Sequence, residues 1–264
     1  MAKTSVLLSV FSVVKKPSLF LSTSAGHCPT PIAMRDFDDI FALAADRHGG
    51  PQALEARLAA TLPLSADEIA AIPDDRILSQ MARHVFQSGF SWAVIDKKWP
   101  GFEEAFAGFD PATNAAMSDE RFDALLKDTA IIRNGAKIRS VALNAQFLMT
   151  LAAEHGSAAR FFADWPSDDF SGLLAYLKTH GDRLGGQIGA RVIRALGKPA
   201  YVLSDSVVAA LIEQGVVTTF PTSKRDLAAV QKAFNDWAAE SGRDLTSISR
   251  TLAMSTGEIW SEPH

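Results

Sequence analysis

Leu184–Leu211 reads "LGGQIGARVIRALGKPAYVLSDSVVAAL", and its reading decides the fold. Glycines stand at 185, 186 and 189, and the apolar residues Ile188, Val192, Ala195 and Leu196 follow the spacing of an amphipathic helix. Pro199 breaks that helix, and a capped second helix follows. The stretch is therefore a hairpin of helices with a glycine turn at its entrance. Gly185, Gly186 and Gly189 permit left-handed backbone and the close approach of another chain segment. Amides opening the helix after such a turn face outward, with the positive end of the helix dipole behind them, and suit an anion such as a phosphate. Five basic residues, Lys178, Arg183, Arg191, Arg194 and Lys198, accompany one acid, Asp182, in this region. The same glycines also suit a plain helix–helix turn in which they serve packing alone. No strand precedes them, so they are not a dinucleotide fingerprint.

Outward from the hairpin nearly everything reads helical. Apolar residues at Phe37, Ile40, Phe41 and Ala44 predict a helix over 36–46, and Pro51 opens the next. Pro73-Asp74-Asp75 starts a helix that runs to about Ser88, with Ile77, Met81, Val85 and Ser88 on one face. Short helices are expected after Pro100, with starts at Asp110-Pro111 and Ser118-Asp119-Glu120. Phe102, Phe106 and Phe109 read as a core stripe. Asn134 caps a longer helix to His155, and Ser167 or Asp168 caps one ending near Gly181. Helices over 224–241 and 244–253 complete the chain, each behind a capping residue. No alternating strand is evident, so the class is all-α, in one helical domain over 34–264. Trp99, Trp165, Trp237 and Trp260 read as packing.

The totals narrow the function. The 264 residues are 47% hydrophobic and 21% charged, with net charge −4 and a pI near 5.9. No global basic field attracts nucleic acid, so any such site is a local patch. A single cysteine, Cys28, excludes a disulfide within the chain and a cysteine-cluster metal site, and fits a reducing, cytoplasmic compartment. No apolar run reaches the roughly 20 residues of a membrane span. Residues 1–33, with a ten-residue apolar run followed by Lys15-Lys16, match a secretory signal poorly. They are read as a leader or disordered extension, or as sequence upstream of a start at Met34.

A second stretch, "FQSGFSWAVIDKKW" (Phe86–Trp99), carries the ligand question. Gly89 ends the helix before it, and the stretch is expected to finish in a basic, aromatic turn. Trp92, between small residues, reads either as core or as a stacking platform for a planar ligand. Lys97 and Lys98 suit phosphate contacts or solvated charge.

The two stretches, with "KKWPGFEEAF", "FDPATNAAM" and "IIRNGAKIRSVALNA" in the same order, make the chain resemble the DNA-3-methyladenine glycosylase I family of the helix-hairpin-helix DNA glycosylase superfamily. The likeness spans about Asp74 to Ala210. It implies two helical lobes with a cleft, and an enzyme that flips a damaged base out of double-stranded DNA and cleaves its N-glycosidic bond. Trp92 matches the family's stacking tryptophan, with Gln87, Phe90 and His84 around the pocket. Asp205 falls where the superfamily has its catalytic aspartate, although a plain helix cap also explains it. Gly185, Gly186, Gly189, Arg191, Arg194, Lys97, Lys98 and Lys137 are the implied DNA contacts. The lyase lysine of other superfamily members is replaced by Arg191, which implies hydrolysis without strand cleavage. The chain departs from the family pattern at the base-recognising glutamate, which is His84. It departs again at the zinc ligands, where Ser206 replaces a histidine, and in lacking the N-terminal cysteine-and-aromatic motif. No metal or other cofactor is expected, and a nucleoid-associated monomer is implied. A non-catalytic DNA-binding relative is the alternative.

Overall fold

The computed structural model describes residues 34–257. The readings made for 1–33 and for Trp260 lie outside the described residues. Among those residues the chain forms fourteen α-helices and two short 3₁₀ turns, with no strand. The all-α class read from the sequence is the observed one.

The chain opens with α1 (Phe37–Arg47), where the Asp36 carboxylate takes the Asp39 amide at 2.9 Å and Phe37, Ile40 and Ala44 turn inward. Next come α2 (Pro51–Ala59), begun by Pro51, and α3 (Ala66–Ala70), closed by a reciprocal Ser65–Glu68 cap. Helix α4 (Asp74–Gln87) ends where Gly89 takes φ +78°. Its Asp74 does not cap α4. That carboxylate instead accepts the Ala158 amide, 84 residues away, at 3.2 Å.

The basic aromatic turn expected before Pro100 is instead helix. Helix α5 runs from Trp92 to Ala105 with Pro100 inside it. Proline removes one donor and crowds the preceding turn. Buried Trp99 and Phe102 on either side hold the helix together across that fault, their rings stacked at 5.2 Å. Phe106 and Phe109 extend the stack, and all three phenylalanines are fully buried, as their spacing predicts.

Helices α6 (Pro111–Ala115) and α7 (Asp119–Leu125) are capped by Asp110 and Ser118. Asn134 caps α8 (Gly135–His155), against which α4, α6, α7 and α9 (Ala158–Asp164) pack. Helix α10 (Phe170–His180) is capped by Asp169 rather than by Ser167 or Asp168, which form a 3₁₀ turn. The hairpin follows, with α11 (Gln187–Ala195) and then α12 (Asp205–Glu213). Finally α13 (Lys224–Ser241) and α14 (Leu245–Ser255) lie against each other, and α14 covers α1 and α12. The main interior is continuous from Phe37 to Leu252, and a small second cluster joins α1 to α2.

Candidate active site

The site is made by the end of α4, the start of α5 and the start of α11. Three contacts fix those pieces. The Glu103 carboxylate on α5 takes both terminal guanidinium nitrogens of Arg76 at 3.0 Å, the Ser79 hydroxyl at 3.0 Å and the Trp99 indole N–H at 3.0 Å. This locks α5 to α4. From α8, the Lys137 ammonium donates to the carbonyls of Phe86 (3.3 Å) and Ser88, which lie at the end of α4. Seven residues on and so on the same face of α8, the buried Asn144 amide donates to Asp182 O at 3.0 Å and accepts from Asp182 N–H at 2.8 Å. One helix thus sets both walls of the site.

In the hairpin only two of the three glycines are required by geometry. Gly186 has φ +61°, and a Cβ on Gly189 would sit 2.4 Å from the Leu184 carbonyl oxygen. Gly185 has neither constraint, and a Cβ there meets only the flexible Lys178 side chain at 3.3 Å.

Between these walls lies a cavity of about 340 Å³. His84, Gln87, Ser88, Gly89 and Trp92 line one side, and Gln187, Ile188 and Arg191 the other. Trp92 stands at the first turn of α5, 48% exposed. The His84 ring meets it edge-on at 6.4 Å and 70°, and the Arg191 guanidinium lies over its face at 5.2 Å. Both His84 ring nitrogens and Gln87 Oε1 are buried with no protein hydrogen-bond partner. Buried polar atoms without partners are costly and rare, and here three of them stand beside one exposed ring. Burial, then the charges of Arg191 and Arg83, push the His84 pKa down to about 4, with Gln87 and Asp96 pulling the other way. The imidazole is therefore neutral at pH 7, with one donor and one acceptor.

Of the residues singled out in the sequence, His84, Gln87, Trp92 and Arg191 come together. Phe90 is 39% exposed and lies outside the lining, its ring under the Lys137 ammonium at 4.6 Å. The basic residues of the hairpin region do not form one surface patch. Lys178 and Arg183 are exposed, but Arg194 donates to Ala200 O at 2.7 Å. Lys198 is buried and donates to the carbonyls of Ala163 (3.2 Å) and Trp165 (2.7 Å). Lys137 likewise serves carbonyls inside the protein, and both ammoniums sit at helix C-termini, where the dipole favours a cation. Lys98 reaches Thr129 O at 2.7 Å, whereas Lys97 is exposed.

Asp205 does not line the cavity. It is exposed at the first position of α12, behind the Ser204 cap. The link to the site is indirect, since cavity-lining Gln187 donates from Nε2 to Leu203 O at 2.8 Å. Gln187, Ile188 and Asn144 carried no functional signal in the sequence. Neither did Asp96, one turn after Trp92, which accepts from Gln87 Nε2 at 3.4 Å and faces Arg83 Nε at 3.6 Å. Among the described residues no group of three or more His, Cys, Asp or Glu is placed to hold a metal. The zinc of the resembled family does not fit them.

An exposed indole, three buried polar atoms without protein partners and the glycine hairpin opposite them thus meet at one cavity. The family model described as methyladenine glycosylase matches residues 70–171 of this chain. The chain is 38% identical over 60 residues to DNA-3-methyladenine glycosylase 1 of Escherichia coli (strain K12), 23% of this chain and 32% of that protein. To DNA-3-methyladenine glycosylase of Haemophilus influenzae it is 34% identical over 65 residues, 25% and 35% of the two chains. The chain thus spans about a third of the length of these curated relatives. Among solved structures, one of 3-methyladenine DNA glycosylase I is 22% identical, covers 52% of this chain and 79% of its own, and has a TM-score of 0.40. One from Staphylococcus aureus is 20% identical, covers 59% and 89%, and has a TM-score of 0.41. The hairpin and Asp205 lie beyond the matched segment.

Proposed function

We propose that the protein is a DNA glycosylase that flips an alkylated purine, 3-methyladenine-like, out of duplex DNA and hydrolyses its N-glycosidic bond without cutting the strand. The observation that carries this reading is the meeting of Trp92 with three unpartnered buried polar atoms of His84 and Gln87, opposite the glycine hairpin. The cavity volume, about 340 Å³, suits a single base at the low end of ligand sites, roughly 300–1,000 Å³.

The flipped base stacks on Trp92, whose π-face attracts a cationic methylpurine beyond ordinary stacking. Arg191 covers that ring and moves off it as the base enters. Neutral His84 and the Gln87 carbonyl oxygen pair with the base edge. The cationic base is a good leaving group and departs neutral with the electrons of the broken bond, while water adds to the sugar C1′. No carboxylate lines the cavity, so the base edge and the stack carry most of the selectivity. We assign the charge opposite the developing oxocarbenium ion to Asp205, exposed at the start of α12 two residues after the Leu203 carbonyl that Gln187 holds. Arg191 offers no amine nucleophile, so hydrolysis ends at the abasic site.

The assay is release of free base from methylated duplex DNA. Trp92→Ala is expected to lower single-turnover release by roughly 5- to 150-fold, the scale of one stacking contact. Asp205→Asn is expected to lower it without weakening DNA binding. The lack of a carboxylate in the lining also favours a second reading, a lesion-binding relative without chemistry. Salt-sensitive duplex binding with no free base from any substrate would establish that reading instead.

A further inference from the structure

A second cavity, about 370 Å³, lies at the other end of α11. Its walls carry Arg194 from α11, Arg250 and Thr246 from α14, and Thr61 from the segment between α2 and α3. The Arg194 guanidinium gives one N–H to Ala200 O, but its Nε–H is buried with no protein partner. Arg250 donates to the Thr61 hydroxyl oxygen. Among the described residues neither arginine has a carboxylate in ion-pair contact, and none lines the cavity. Asp244 is close enough to act on Arg194. Its carboxylate is committed to the start of α14, to the amides of Thr246 (2.8 Å) and Ser247 (3.0 Å) and the Ser247 hydroxyl (2.6 Å). Lys198 reaches the same wall with its ammonium turned to carbonyls. Burial, then the charges of Arg250 and Arg191, push the Arg194 pKa down to about 10, so the two guanidiniums feel each other. Like charges gathered in a partly dry cavity cost free energy until an anion joins them.

We propose that this cavity is a binding site for a phosphate-type oxyanion, held by the Arg194 and Arg250 guanidiniums with the Thr61 hydroxyl beside them. Guanidinium forks match the geometry and charge of phosphate oxygens. The phosphate comes either from a DNA backbone crossing α11 or from a free phosphate compound. The site does not depend on the glycosylase reading, because none of its residues lines the Trp92 cavity.

The experiment is a calorimetric titration of the full chain with inorganic phosphate and with pyrophosphate, at constant ionic strength set by chloride. Wild type is expected to bind saturably. Arg250→Gln is expected to bind at least about tenfold more weakly, the effect of losing one charge-assisted contact. Arg250→Lys, which keeps the charge, is expected to recover most of the affinity. Lys127→Gln, which removes the same charge outside the cavity, is expected to bind as wild type does. Displacement of the phosphate by undamaged duplex DNA would assign the site to the backbone, and retention would assign it to a free phosphate compound. No saturable binding by wild type, or equal binding by Arg250→Gln and wild type, would overturn the proposal.

Discussion

His84 is the residue on which the proposed chemistry turns. Where the resembled family has a carboxylate, this chain has an imidazole held neutral by burial and by the charges of Arg191 and Arg83. Its pKa is about 4 against an ordinary 6.5, so the unfolded chain binds the proton more readily than the folded one. Stability is then full above pH 6.5 and is lost as pH falls from 6.5 toward 4. The expected loss between pH 7 and pH 5 from this group is roughly 2 kcal/mol. Urea denaturation of wild type beside His84→Gln at the two pH values measures it, because the glutamine variant lacks this contribution. Equal pH dependence in both proteins would show that His84 titrates normally. The same neutrality bears on recognition, since a protonated imidazole would repel a cationic methylpurine. That Trp92 and His84 line one cavity was legible because Trp92 follows a helix-ending glycine in a short motif and His84 precedes it by eight residues in the resembled pattern. Lys137 and Lys198 were not, because a lysine in a sequence reads as solvated charge. Only the fold brings helix-end carbonyls to their ammoniums.

At the scale of elements, the hairpin is held by contacts far apart in sequence. Asn144 and Asp182 are 38 residues apart, and no local pattern could pair them. Asn144→Ala would leave both backbone groups of Asp182 without their partner, at an expected cost of about 2 kcal/mol. It would also loosen the hairpin. The check is chemical denaturation together with duplex DNA affinity, both of which fall if the latch holds the hairpin in place. Gly189→Ala drives a methyl toward the Leu184 carbonyl and is expected to cost roughly 1–3 kcal/mol by overpacking. Gly185→Ala, where only the Lys178 side chain is near, is expected to cost under about 1 kcal/mol. Equal losses at the two positions would contradict the turn geometry. The hairpin itself was readable, since glycine spacing, helical periodicity and Pro199 all agree. The continuation of α5 through Pro100 was not, because local rules put a helix end there while buried Trp99 and Phe102 override them.

At the scale of the whole molecule, α8 is the strut that joins the two walls of the cavity, through Lys137 to α4 and through Asn144 to the hairpin. The all-α class was visible from periodicity and caps throughout the described residues. What the sequence could not show is the sorting of cations by depth, with Lys137, Arg194 and Lys198 turned to carbonyls inside. Arg191 alone of the hairpin's cations lines the Trp92 cavity. Binding to undamaged duplex is therefore expected to rest on few contacts. Its affinity should fall with salt at a slope well below the roughly −10 of proteins that grip many phosphates. The measurement that tests the central claim most directly is single-turnover incubation of the full chain with duplex DNA carrying methylated purines, counting free base and abasic sites. Free methylpurine and abasic sites are expected in equal number, with no strand cleavage, and much slower formation of both in Trp92→Ala. Wild-type protein that binds the duplex yet releases no base, or a Trp92→Ala variant that releases base at the wild-type rate, would contradict it.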